Sequence, residues 1–164
     1  MARHKSRERA IQVLFQIDQR KIDPEEALRA FYATLYSPDD IPETRLDRDK
    51  FMEHLVYGVL RKLTEIDDSL TRHARNWKVE RMASTDRCIL RLAVFELMQA
   101  DLAPKVVIDE AIEIAKTFGN VDSPAFINGI LDAILKSTAR PAPETTAADA
   151  PADSAIQEAD LGTL

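Results

Sequence analysis

Apolar residues recur along this chain at the three-to-four spacing of an α-helix, almost from its start. Ala10, Ile11, Val13, Leu14, Phe15 and Ile17, laid out at about 100° per residue, form one broad stripe with Phe15 at its edge beside Glu8 and Gln12. Ser6 is a candidate N-cap for that helix, which leaves residues 1–5 as a flexible basic arm. Asp23-Pro24-Glu25-Glu26 is a helix start, with a cap, a proline in the first turn and acids at the positive end of the dipole. Ala27, Leu28, Phe31 and Leu35 supply its apolar face. Ser37 to Pro42, with two prolines, is a loop.

A helix is expected from about Asp47, with Phe51, Leu55, Val56, Val59 and Leu60 inward. Another is expected from Thr64, with Ile66, Leu70 and Ala74 inward, closed by Asn76-Trp77-Lys78. Arg81 to Asp86 is a short connector. From Asp86 to Gln99 the pattern changes: Cys88, Ile89, Leu90, Leu92, Ala93, Val94, Phe95, Leu97 and Met98 cover most of the circumference. A helix apolar nearly all round is a buried, central one. Val106 to Phe118 is amphipathic with Gly119 as its C-cap, and Ser123-Pro124 starts a last helix that runs to about Lys136. Short alternating strands are missing. The expectation is an all-α fold of about seven helices around one buried helix.

Composition supports this. Gly is scarce at four and apolar residues make up 45%, which favours helix over sheet and suffices for a core. The single Cys88 cannot form an intramolecular disulfide and suits a reducing cytosol. No apolar run approaches the roughly 20 residues of a membrane span, and no apolar signal segment follows the charged N-terminus, so export is not expected. The location expected is therefore the cytoplasm, with no membrane partner.

Charge is unevenly spread in a chain of formal net charge -6. Residues 1–9 carry Arg3, Lys5, Arg7 and Arg9 against Glu8. Residues 138–164 carry Glu144, Asp149, Asp153, Glu158 and Asp160 against Arg140. That stretch is rich in Ala, Pro and Thr, shows no helical stripe and is expected to be a disordered acidic tail, outside a folded unit spanning 1–137.

Catalytic chemistry is hard to find. There is no Gly-rich phosphate loop and no GxSxG; His4, His54 and His73 stand apart and pair with no cysteine as a zinc site would require. No cofactor and no metal are expected. Cys88, on the most apolar helix, reads as a core filler. Glu110 and Glu113 share a helix face, most simply a solvated one.

Two stretches suggest binding instead. The basic opening is either a solvated terminus or a phosphate-tracking arm. Phe118 to Phe126 sets two aromatics around the polar residues Asn120 and Asp122; the rings either join the core or stack on unpaired bases, with Asp122 and Asn120 meeting base edges.

Arg7-Glu8, Ala10 and Gln12-Val13-Leu14-Phe15 resemble the opening of the NusB family, and TDRCILRLAVFEL, residues 85–97, resembles its central helix. Residues 104–119, PKVVIDEAIEIAKTFG, and Ser123, then Phe126 to Asp132, continue the likeness in family order. The resemblance implies two small helix bundles packed across each other and no enzymatic activity. It implies binding of boxA, a single-stranded RNA element of ribosomal-RNA transcripts, together with NusE, a small-subunit ribosomal protein. The pair would join RNA polymerase and other Nus factors to suppress termination.

By the same resemblance Arg3, His4, Lys5, Arg7 and Arg9 would hold phosphates. Phe118, Asp122 and Phe126 would form a second RNA-contacting region, and Phe15, Gln12 and Asp86 would face NusE. Gly129, inside the last helix, would permit close packing. Where family members often carry three consecutive arginines, this chain has Arg3-His4-Lys5, which would weaken RNA binding or make it pH-dependent. Four phosphate contacts give a salt slope of only roughly -3 for single strands, so a second protein would have to extend the surface. A helical protein-interaction module without RNA fits the folded body equally; an accessory domain of an RNA methyltransferase fits less well. Whether the free protein is a monomer or a homodimer stays open at this level.

Overall fold

The computed structural model describes residues 2–35 and 48–138. The expected loop over 37–42 and the acidic tail lie outside the described residues. Among the described residues there are seven α-helices and no strand. They are α1 (Ala2–Arg20), α2 (Pro24–Leu35), α3 (Lys50–Arg61), α4 (Leu63–His73), α5 (Ser84–Gln99), α6 (Pro104–Phe118) and α7 (Ser123–Thr138), with a 3-10 turn at Val79–Arg81 before α5.

α1 packs on α2 and α3; α4, α6 and α7 pack on one another or on α5; and α5 touches α1, α3, α4, α6 and α7. Two small bundles therefore share α5 as their common wall. Cys88 to Leu90 and Leu92 to Phe95 are each no more than 3% exposed, as the all-round apolar pattern requires. Closest approach falls between α3 and α5: a Cβ built on Gly58 would meet Phe95 Cζ at 2.0 Å. Only glycine lets the Phe95 ring lie against the α3 backbone.

Local signals set several boundaries. Asp23 Oδ1 accepts from the Glu25 N–H at 2.9 Å and starts α2. Asp49 caps α3, accepting from the Met52 N–H at 2.9 Å, so that helix begins at Lys50 rather than near Asp47. α4 ends at His73, ahead of the expected Asn76–Lys78 closure. Gly119 ends α6 with extended backbone, φ -88°, its N–H bonded to the Ala115 carbonyl.

Four expectations need correction. Residues 2–5 are not a flexible arm but the first turn of α1, and Ser6 lies inside that helix rather than capping it. Its hydroxyl donates instead to Asp49 Oδ2 at 2.8 Å, tying α1 to the start of α3. Leu35, assigned to the inward face of α2, is 41% exposed. Gly129 permits no close approach, because a Cβ there would meet nothing within 4 Å.

Candidate RNA and protein interface

The N-terminal cations do not form the open phosphate cradle expected of them. Arg7 lies on the inner face of α1, because positions 7, 11 and 14 share one side of a helix. It is 3% exposed. Its Nε and Nη2 reach the Glu96 carboxylate at 2.9 and 2.7 Å, and Nη1 lies 3.5 Å from Glu110 Oε2. Burial disfavours the charge, yet the hydrogen bonds and field of Glu96, with that of Glu110, hold the guanidinium firmly protonated. Arg7 forms an internal ion pair joining α1, α5 and α6, and its guanidinium is not open to solvent.

Its neighbours are engaged in turn. His4 Nδ1 meets Glu110 Oε2 at 2.8 Å and its Nε2 lies 3.6 Å from Glu8. Glu110 thus serves two α1 side chains and is not part of a merely solvated face. Arg9 Nη1 donates to Asp49 Oδ2 at 3.2 Å. Burial works against the Asp49 charge, but donors from Met52, Ser6 and Arg9 keep its carboxyl below the usual range. Lys5 stays exposed, paired at the surface with Glu8. Arg3 is exposed without a carboxylate partner among the described residues; its guanidinium lies 5.1 Å from the Phe51 ring centroid. Two of the five, Arg3 and Lys5, remain open to an anion.

The other predicted positions converge in two grooves. In the first, of about 550 Å³, Gln12 and Phe15 from α1 meet Phe118 from the end of α6, with Ala30 and Thr34 of α2 and Thr85 of α5 along the walls. Phe15 is 39% exposed, too open for a core residue of its size. Phe118 is half-buried against the core and shows one edge to the groove. In the second groove, of about 250 Å³, Asp86 opens α5 beside Asp122 and Phe126, with Trp77, Met82 and Asn120. Phe126 also packs partly on the core. Both aromatics therefore pack partly on the core while part of each ring stays open to a groove.

Asn120 and Ser123 are occupied by structure. Asn120 Oδ1 accepts from the N–H groups of Asp122 and Ser123 at 2.9 and 3.1 Å, and Ser123 Oγ accepts from the Asn120 N–H at 2.9 Å. This reciprocal cap fixes the α6–α7 turn and leaves Asp122 exposed. The Asn120 amide NH₂ takes no part in this cap. Asp86 is different: it is 5% exposed, yet its Oδ1 has no hydrogen-bond partner among the described residues. A buried carboxylate oxygen without a donor is costly, and a donor entering the second groove would satisfy it.

Sequence reading missed one cluster. Arg91 grips Asp67 through two bonds at 2.8 and 2.7 Å and reaches Asp18 at 3.1 Å, while Arg87 donates to Asp18 at 2.6 Å. Burial opposes the Asp18 charge, but Arg87 and Arg91 hold its carboxyl below the ordinary range. The signal was present: Arg87 and Arg91 are cations spaced i, i+4 on the most apolar helix, where a cation turned inward needs an acid. Cys88, beside them, is 1% exposed, and burial pushes its thiol up to about 12, in keeping with a core filler. No cluster of His, Cys, Asp or Glu suited to a metal occurs among the described residues, and no helix there is long and apolar enough to cross a membrane.

The model of the NusB family matches residues 4–136. The transcription antitermination protein NusB of Solibacter usitatus is 46% identical over 140 residues, spanning 85% of this chain and 92% of its own. NusB of T. maritima superposes with a TM-score of 0.66 at 36% identity, covering 82% of this chain and 90% of that one. A NusB chain crystallised with NusE and double-stranded RNA superposes with a TM-score of 0.69 at 25% identity, covering 83% and 97%. With a match that spans both bundles and both grooves, the chain belongs to the NusB family of transcription antitermination proteins, which are not enzymes.

Proposed function

We propose that this protein is an adaptor: it binds boxA RNA of ribosomal-RNA transcripts together with NusE, and the pair joins elongating RNA polymerase with other Nus factors. The observation that carries the reading is the open Phe15–Phe118 groove on a member of a family in which a relative is solved with both NusE and RNA. Gln12 and Phe15 supply an exposed aromatic anchor of the kind that dominates protein interfaces. Asp86, buried and lacking a donor, supplies an acceptor for the partner. Phe118, Phe126 and Asp122, on the neighbouring turn, offer ring edges and a carboxylate that accepts from base amino groups. Arg3 and Lys5 contribute phosphate contacts, with Arg9 and His4 as partly engaged seconds.

Protein alone makes few such contacts, so its RNA affinity is weak; NusE extends the surface, and tethering the transcript to the polymerase raises effective concentration. Isothermal titration of NusE into the protein tests the partner face. Phe15→Ala is expected to weaken NusE binding by about 2 kcal/mol or more with an unchanged unfolding midpoint. Equal NusE affinity for wild type and Phe15→Ala would remove this face from the interface.

A second reading, a helical protein-interaction module without RNA, draws on the engagement of Arg7, His4 and Arg9 in internal pairs. It predicts that Arg3→Ala and Lys5→Ala leave RNA association at background.

A further inference from the structure

Free positive charge also gathers away from the N-terminus. Residues 72–81 carry Arg72, Arg75, Lys78 and Arg81 against one acid, Glu80. All four cations are exposed. None has a carboxylate within ion-pair distance among the described residues, in contrast to Arg7, Arg9 and Lys5. In their midst stands Trp77, 54% exposed. Its ring meets Phe126 edge-on, with centroids 5.6 Å apart and planes at 76°, so Phe126 steadies the indole without covering both its faces.

The segment is held in place. Arg87 donates to the carbonyls of Val79, Glu80 and Met82 at 3.2, 3.3 and 3.0 Å, and the backbone N–H of Trp77 donates to the Ala74 carbonyl at 3.0 Å. A large aromatic exposed on a fixed turn among unpaired cations is the arrangement that binds single strands: the ring stacks a base and the cations follow the backbone.

We propose that residues 72–81 form a further RNA-contacting element, in which Trp77 stacks an unpaired base next to Phe126 and Arg75 and Lys78 hold the flanking phosphates. This rests on the adaptor reading and extends its RNA path from the α6–α7 turn across the end of α4. Single-stranded RNA fits better than a protein partner because four unpaired cations call for a polyanion, and stacking tolerates any base.

Trp77 is the only tryptophan in the chain, so its emission reports directly on the element. Full-length protein, alone and with NusE, is titrated with boxA RNA and with a scrambled RNA while tryptophan emission and RNA anisotropy are followed. RNA is expected to quench Trp77. Trp77→Ala should weaken RNA binding about ten-fold, Trp77→Phe should retain most of it, and Arg75→Gln with Lys78→Gln should flatten the salt slope by about 1.4. Thermal unfolding of each variant checks that the fold is intact. If wild type binds RNA but Trp77 emission is unmoved and the variants bind as wild type does, this element is no RNA contact, although the adaptor reading survives. Emission that responds to NusE and not to RNA would make it a protein contact and overturn the proposal. Failure of wild type to bind any RNA, with or without NusE, would defeat the adaptor reading itself and this proposal with it.

Discussion

Replacing Arg7 by alanine separates two roles for the same cation. As a phosphate ligand it would be dispensable for folding. The structure makes it the link between α1, α5 and α6, with side chains 4% exposed for Arg7 and 9% for Glu96. At such burial solvent screening gives little relief, and each hydrogen bond to a charged group contributes about 1.5–3 kcal/mol. Removing the guanidinium leaves Glu96 charged and buried, a loss of about 3–5 kcal/mol. With a urea dependence of roughly 2 kcal/mol per molar for a domain of this size, the midpoint should fall by about 2 M. Equilibrium urea unfolding followed by far-ultraviolet circular dichroism measures it. The double variant Arg7→Met with Glu96→Leu should recover most of the loss, since a well-packed apolar pair replaces a buried ion pair at little cost. An Arg7→Ala protein with the wild-type midpoint but a shallower salt dependence of RNA binding would refute the buried-pair account and restore the phosphate role.

Other outcomes follow from the same packing. Gly129→Ala should stabilise by about 0.5–1 kcal/mol, because helix propensity improves and the site is open, whereas Gly58→Ala should cost about 1–3 kcal/mol by forcing Phe95 aside; a Gly58→Ala urea midpoint at or above that of the wild type would contradict the α3–α5 contact. Asp18 titrates below its ordinary value when folded, so its contribution is fully present above the unfolded value of about 3.9 and is lost as pH falls through the lower folded value. Asp18→Asn should therefore reduce stability at neutral pH and flatten its decline below about pH 4, read from unfolding midpoints across that range. Cys88, with its thiol pushed up to about 12, should resist iodoacetamide at pH 8 until denaturant is added, as mass spectrometry of the intact protein would show.

Much of the fold was legible because periodicity reports burial. The all-round apolar run of α5 foretold a central helix, and Asp23-Pro24 and Gly119 marked real ends. What misled was charge. A cation near a terminus suggests a surface cation, but Arg7 continues the stripe of Ile11 and Leu14 and so turns inward. Its partners were visible too: Glu96 is an acid on the most apolar helix, and a buried acid needs a cation. The same rule identifies Arg87 and Arg91. By contrast, the grouping of Asp86 with Asp122 and Phe126, and of Phe15 with Phe118, depends on how α5, α6 and α7 cross, which no local pattern encodes. The segment 72–81 reads in sequence as a helix end; the exposure of Trp77 and the lack of carboxylate partners around its cations among the described residues become visible only in three dimensions.

The adaptor account is tested most directly by the anisotropy of labelled boxA RNA titrated with this protein, alone and with NusE, at several salt concentrations. It predicts weak, strongly salt-dependent binding by the protein alone, tighter binding with NusE, and a preference over a scrambled RNA that NusE sharpens. RNA that stays unbound in both conditions, or binding that NusE leaves unchanged, would contradict it.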